Sequence, residues 1–212
     1  VFKIKTGISV LMVLALAGCA SDGELVPEGI IVTRSACPSV AIPAATGDVT
    51  LFNPADSRDA SAIDVVAAIT NVRMVCDETG EYIVSNVTFD VQARRSDPHG
   101  RREVILPYFS SVVQGGDNVV AKRLGRVSLI FADGEYRAST SGAATGQVLR
   151  SAATLPEDVR EQINRKRKPG DPDAAIDPMA IPAVRAAVTR ASFELLVGFQ
   201  LSEEQLRYNV TR

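Results

Sequence analysis

From residue 65 onward apolar side chains return at every second position, the spacing of strands that bury one face. Across 65–76, Val66, Ala68, Val72, Met74 and Cys76 share a face with Thr70 between them. Across 82–94, Ile83, Val87, Phe89, Val91 and Ala93 do the same, while Asn86, Thr88, Asp90 and Gln92 point away. Asp77-Glu78-Thr79-Gly80-Glu81 joins the two as a short glycine-containing loop, which predicts an antiparallel hairpin. A second hairpin is predicted from 104–114 and 118–131, turning at Gly115-Gly116-Asp117, with Val127, Leu129 and Phe131 alternating before the Asp133-Gly134 turn. Pro107 lacks an N–H, so its part of the strand is expected at an edge or a bulge. In the last strand Phe193, Leu195, Val197, Phe199 and Leu201 lie on one face, with Gly198 and Gln200 on the other. Residues 29–33 and 48–52 are further strand candidates, giving roughly seven short strands. The pattern predicts a mainly β chain: a single immunoglobulin-like antiparallel β-sandwich over 30–212. The chain has no tryptophan, so the architecture is expected without the immunoglobulin core signature.

Residues 151–190 break the two-residue period and read as a helical and loop insertion before the last strand. Thr154 is placed as a helix N-cap, Pro156 in the first turn, and Glu157 and Asp158 at the positive end of the dipole. Arg165-Lys166-Arg167-Lys168 falls at the negative end before Pro169-Gly170. A second short helix is expected over 182–190, with Val184 and Val188 on one side. The basic quartet is either a solvated helix end or a contact for anionic headgroups or an acidic partner, where each cation contributes about 1 kcal/mol. By contrast, Ser141-Gly142-Ala143-Ala144-Thr145-Gly146 carries neither the lysine nor the following helix of a phosphate loop, and reads as linker or loop.

Ahead of the strands lie Lys3 and Lys5, then an apolar run over 8–16 that is too short to span a bilayer, the layout of a cleaved signal. Val1 fits a start codon other than ATG translated literally. The run closes on Leu16-Ala17-Gly18-Cys19, which resembles the lipobox of bacterial lipoproteins. The resemblance implies removal of 1–18, a diacylglycerol on the Cys19 sulfur, acylation of its new amino group, and a tether over 19–29. Two or three acyl chains hold a domain where a single one holds only marginally. Ala20 stands where an aspartate would retain such a protein in the inner membrane, so the resemblance implies the outer membrane, facing the periplasm. The alternative is an ordinary secretory signal with Cys19 an incidental thiol.

From Cys19 onward about 194 residues remain, enough for one domain with a real core. The 46% hydrophobic and 23% charged composition is that of an ordinary globular chain. Loss of Lys3 and Lys5 takes the net charge to about −4, which does not point to nucleic acid. With Cys19 carrying lipid, Cys37 and Cys76 remain in an oxidising compartment and are expected to pair. Two buried free thiols, or one reactive thiol, are the competing readings.

Chemistry-bearing constellations are sparse. His99, the single histidine, stands among turn-formers in Ser96-Asp97-Pro98-His99-Gly100, and the chain has no HExxH, GxSxG or P-loop. Two thiolates and one distant histidine make no tetrahedral metal set, and Asp56/Asp59 and Asp171/Asp173 match no EF-hand. The expectation is therefore no enzyme, no cofactor and no metal, but a binding or scaffolding component of the cell envelope with a protein partner. A small-ligand or glycan module, with Tyr82, Tyr108 or Tyr136 on a concave patch, is the alternative; a hydrolase with an unrecognised site ranks below both.

Cys37-Pro38, the strand ending at Cys76, Pro107-Tyr108-Phe109, Gly198-Phe199-Gln200-Leu201, Glu204-Gln205-Leu206 and Tyr208-Asn209 together resemble a family of uncharacterised lipoproteins of alphaproteobacteria. Arg95-Ser96-Asp97-Pro98 and the longer 151–190 section depart from that pattern. The resemblance sharpens fold and location and adds nothing to mechanism. In the C-terminal motif Ser202 and Gln205 have capping-box spacing, predicting a short helix that lays Leu206 on the sandwich. Gln200, Gln205, Tyr208 and Asn209 either seal the terminus of the core or form a docking surface for a partner.

Overall fold

The computed structural model describes residues 35–165, 170, 172 and 176–211. Residues 16–19 and 29–33, Lys166, Arg167, Lys168, Asp171 and Asp173 lie outside the described residues. The strands are β1 (Ser39–Ala41), β2 (Asp48–Phe52), β3 (Ile63–Asp77), β4 (Tyr82–Arg95), β5 (Arg102–Gln114), β6 (Asn118–Phe131), β7 (Arg137–Leu149) and β8 (Phe193–Phe199). They form two four-stranded sheets, ordered β1-β8-β5-β6 and β2-β3-β4-β7, one of them curled into a half-barrel. The chain is thus mainly β with two sheets around one core. It is not purely antiparallel, because β1 runs parallel to β8.

The core forms where the predicted faces meet. Ile83, Val87, Phe89, Val91 and Ala93 of β4 are buried, as are Val127, Leu129 and Phe131 of β6 and Phe193, Leu195, Val197 and Phe199 of β8. Each of these valine, leucine, isoleucine and phenylalanine side chains contributes roughly 1.5–3 kcal/mol when fully buried. In β3 the predicted face holds only in part. Val65, Ala67 and Ile69 point inward instead of Val66, Ala68 and Thr70, while Val72, Met74 and Cys76 pack on the core as expected. The reason is a bulge between Thr70 and Arg73, where Asn71 takes φ 52° and one extra residue switches which face turns inward.

Pro107 meets its expectation. The β5/β8 ladder begins only at Tyr108, so residues 102–107 pair with β6 alone, and the Pro107 carbonyl accepts from the Gln200 N–H at 2.9 Å.

Strand β7 corrects the loop reading of residues 141–146. Thirteen residues pair with β4 without a break, from Leu149 opposite Tyr82 to Arg137 opposite Arg94. Its inner positions are small because large neighbours fill the space: a Cβ on Gly142 would lie 2.3 Å from Cζ of Phe89.

Cys37 and Cys76 form a disulfide, with Cα atoms 6.2 Å apart. It ties the segment leading into β1 to the end of β3, and so joins the two sheets. At the other end of the sandwich Arg95, 1% exposed, is fully inside. Its guanidinium donates to the carbonyls of Glu135 and Gly100 at 2.8 Å, of Ala132 at 2.7 Å, and of Pro98, and lies 5.2 Å from the Phe131 ring centroid.

Between β7 and β8 come α1 (Arg150–Ala153), α2 (Glu157–Asn164) and α3 (Pro182–Arg190). Val159, Val184 and Ala187 form a small core of their own, with Val188 packed against it. The N-cap of α2 is Pro156, not Thr154, whose hydroxyl donates to the Arg150 carbonyl at the end of the preceding turn. After β8, α4 (Glu203–Thr211) starts on the predicted capping box: the Gln205 carboxamide accepts from the Ser202 N–H at 2.9 Å, and the Gln205 N–H donates to Ser202 Oγ at 3.2 Å. Leu206 stays exposed; Tyr208 and Asn209 make the inward contacts instead.

Candidate functional site

Strands β6 and β7 are the terminal strands of opposite sheets, joined by the turn through Asp133 and Gly134. A hairpin that crosses between sheets holds its strands together at the turn and lets them diverge beyond it. Tyr108 stands where they part. Its hydroxyl donates to the Ala143 carbonyl of β7 at 2.6 Å, and its ring packs edge-on to Phe89 at 5.1 Å between centroids. Residue 125 of β6 has to be glycine for this ring to pass: a Cβ there would lie 2.3 Å from Tyr108 Cζ.

Beyond Tyr108 the seam opens into a cleft of two adjoining lobes, about 250 and about 200 Å³, that share Ser110, Arg123 and Thr145. Val112 and Leu195 make the apolar floor of the second lobe, where Tyr82 and Gln147 also stand. The small residues Ala143, Ala144 and Gly146 of β7 leave the room.

The backbone of β7 along this cleft has a definite parity. In an antiparallel ladder both backbone groups of a residue point to the same side, and the side alternates. Arg150 N–H donates to the Glu81 carbonyl and Arg95 N–H to the Tyr136 carbonyl, so even positions of β7 face β4. The Ala143 carbonyl, bonded to Tyr108, faces the seam. With the register unbroken, the N–H and C=O of Thr145 and Gln147 also face the cleft.

The charge is one-sided. Residues 118–131 contain Lys122, Arg123 and Arg126 and no acid, and residues 138–149 contain no charge. Lys122 lies over the Phe109 ring at 5.0 Å. Among the described residues neither Arg123 nor Arg126 has a carboxylate partner.

The residues singled out from the sequence are scattered over the fold. Tyr82 and Tyr108 reach the cleft, whereas Tyr136 is exposed elsewhere. Gln200 offers its N–H to β5, and its carboxamide oxygen is buried without a hydrogen-bond partner. Gln205 closes the capping box. Tyr208 packs edge-on to Phe52 at 5.1 Å, and Asn209 Nδ2 donates to the carbonyls of Ala45 at 2.9 Å and Asp48 at 2.8 Å. All these contacts are with the chain itself. Arg123 carried no signal in the sequence, since its neighbours on the cleft come from strands far along the chain.

His99 Nδ1 lies 2.6 Å from Asp97 Oδ1, but both side chains are exposed on a turn and line neither lobe. The His99 N–H and ring hold the Asp97 carboxyl below its usual range. Asn71 and Ser141 do the same for Asp90 on the outer face of β4, and Thr79 for Asp77. Asp64 raises Arg102 through a paired contact at 2.6 and 2.7 Å. Asp56 and Asp59 belong to no group of metal-ligating side chains; among the described residues there is none. No helix among them is long and apolar enough to cross a membrane.

No protein-family model, curated protein or solved structure matches the chain.

Proposed function

We propose that the chain is a non-catalytic binding or scaffolding lipoprotein of the cell envelope, anchored through Cys19 to the outer membrane and facing the periplasm, with the cleft between β6 and β7 as its binding site. One observation carries the binding half: two strand edges flank a cleft whose two lobes share Arg123, which has no carboxylate partner among the described residues. The lipobox-like Leu16-Ala17-Gly18-Cys19 and the resemblance to alphaproteobacterial lipoproteins support the anchor, and the Cys37–Cys76 disulfide fits an oxidising compartment. An immunoglobulin-like sandwich is part of this proposal, and the two facing sheets support it. Tyr82 and Tyr108, one in each lobe, favour a small-ligand or glycan module as the second reading.

Photo-crosslinking in intact cells tests the proposal. A benzophenone side chain at Leu124, on the cleft, is expected to give an adduct that one at Val75, equally exposed on β3, does not. The Leu124 adduct is expected to vanish when Cys19→Ser removes the acylation site. Equal adducts from both positions, or an adduct indifferent to Cys19→Ser, would overturn it.

A further inference from the structure

We infer that the occupant of the cleft is an extended acidic peptide segment that adds to the free edge of β7 as an extra strand. The inference rests on the cleft being the binding site and names its ligand class. The cleft wall argues against an apolar ligand and for a strand. Thr145 and Gln147 turn two N–H and two C=O groups toward it. An acyl chain or a hydrocarbon ring lying there strips water from these groups and returns no hydrogen bonds, which is costly. A strand returns all of them, and strand addition at an open edge is a recurrent mode of peptide recognition.

The edge that is offered is β7. Strands that must not pair are blunted by lysine, proline or a bulge. β6 has Lys122 and a register shift opposite Val112 and Val113. β7 has none of the three between Ala138 and Val148. The open stretch beyond Tyr108, residues 143–149, is about 20 Å long at a strand's rise, room for a segment of about six residues. Alternate side chains of such a segment point inward onto Val112 and Leu195, which takes apolar residues. Arg123 borders both lobes and no acid stands on either wall, so the charge that complements the cleft is acidic.

The test uses the protein from Cys19 onward with Cys19→Ser, and a fluorescent, end-blocked peptide of alternating valine and glutamate read by anisotropy. Two controls are the same peptide with every second amide N-methylated, and one with lysine for glutamate. Binding of the parent is expected to weaken at least tenfold on N-methylation and on lysine substitution, and about fivefold with Arg123→Ala at low salt. Gln147→Pro is expected to abolish it. The N–H of Gln147 faces the cleft, so proline there takes no bond from the β4 ladder and the fold is retained. The N-methylated peptide leaves the protein untouched, so the result does not depend on any variant folding. An N-methylated peptide that binds within twofold of the parent, no binding at millimolar peptide, or self-association of the protein through the same edge would overturn the inference. A lipid or glycan adduct at Leu124 in cells, with no binding of the peptide, would leave the cleft as the site and remove only the peptide.

Discussion

A single buried cation closes one end of this sandwich. Arg95 satisfies four backbone carbonyls of two turns at once, and no shorter side chain spans them. Arg95→Ala leaves those carbonyls unpaired beside a cavity, so a loss of about 3–5 kcal/mol is expected in urea unfolding. Arg95→Lys, with three donors on one nitrogen, should recover only part of it. A smaller device sits at Gly142, where Gly142→Val drives a side chain into the Phe89 ring and is expected to cost about 1–3 kcal/mol. On the outer face, Asn71 and Ser141 stabilise the charged form of Asp90 and lower its pKa. A carboxyl lowered in this way contributes stability that is present above its unfolded value, near 4, and is lost as the pH falls through the lower folded value. Asp90→Asn should therefore flatten the decline of thermal stability below pH 4 and leave its slope unchanged at neutral pH.

At the scale of elements, legibility in the sequence followed the continuity of the buried face. β4 and β8 were plain because apolar residues occupy most of their inner positions. β3 was legible as a strand and misread in its first half, since an inserted Asn71 inverts the faces while the apolar residues run on through both phases. β7 was hidden for a different reason: its inner positions are Ala138, Thr140, Gly142, Ala144 and Gly146, sized by Phe89, Leu195 and Val112 from elsewhere in the chain. The signals that could have found it are local, a turn at Asp133-Gly134 and then, from Ala138 to Leu149, an uncharged, proline-free run. The cleft depends on that misread strand and on Arg123 across from it, which is why only Tyr82 and Tyr108 of its lining were anticipated. The Cys37–Cys76 link was legible from cysteine arithmetic once Cys19 was set aside as the expected acylation site in an oxidising compartment. Replacing both with serine reopens a loop of sequence separation 39, and a loss of about 4 kcal/mol is expected from calorimetry under oxidising conditions.

The whole molecule joins a proposed acyl anchor at one end of the sequence to a two-sheet head whose sheets meet at one seam and stay open along the rest of it. In the proposed function, the tether and the open edge together hold an extended segment near a membrane. Loss of Cys19 is expected to abolish incorporation of labelled palmitate while the head still folds and, in solution, still binds the valine–glutamate peptide. The most direct test is residue-resolved amide hydrogen exchange along β7. In the free protein Ala144, Gly146 and Val148 are expected to exchange slowly and Thr145 and Gln147 fast, and the valine–glutamate peptide is expected to slow Thr145 and Gln147 while leaving Ala144, Gly146 and Val148 unchanged. Uniform protection along the free strand, or saturation by the peptide with Thr145 and Gln147 still exchanging fast, would contradict it.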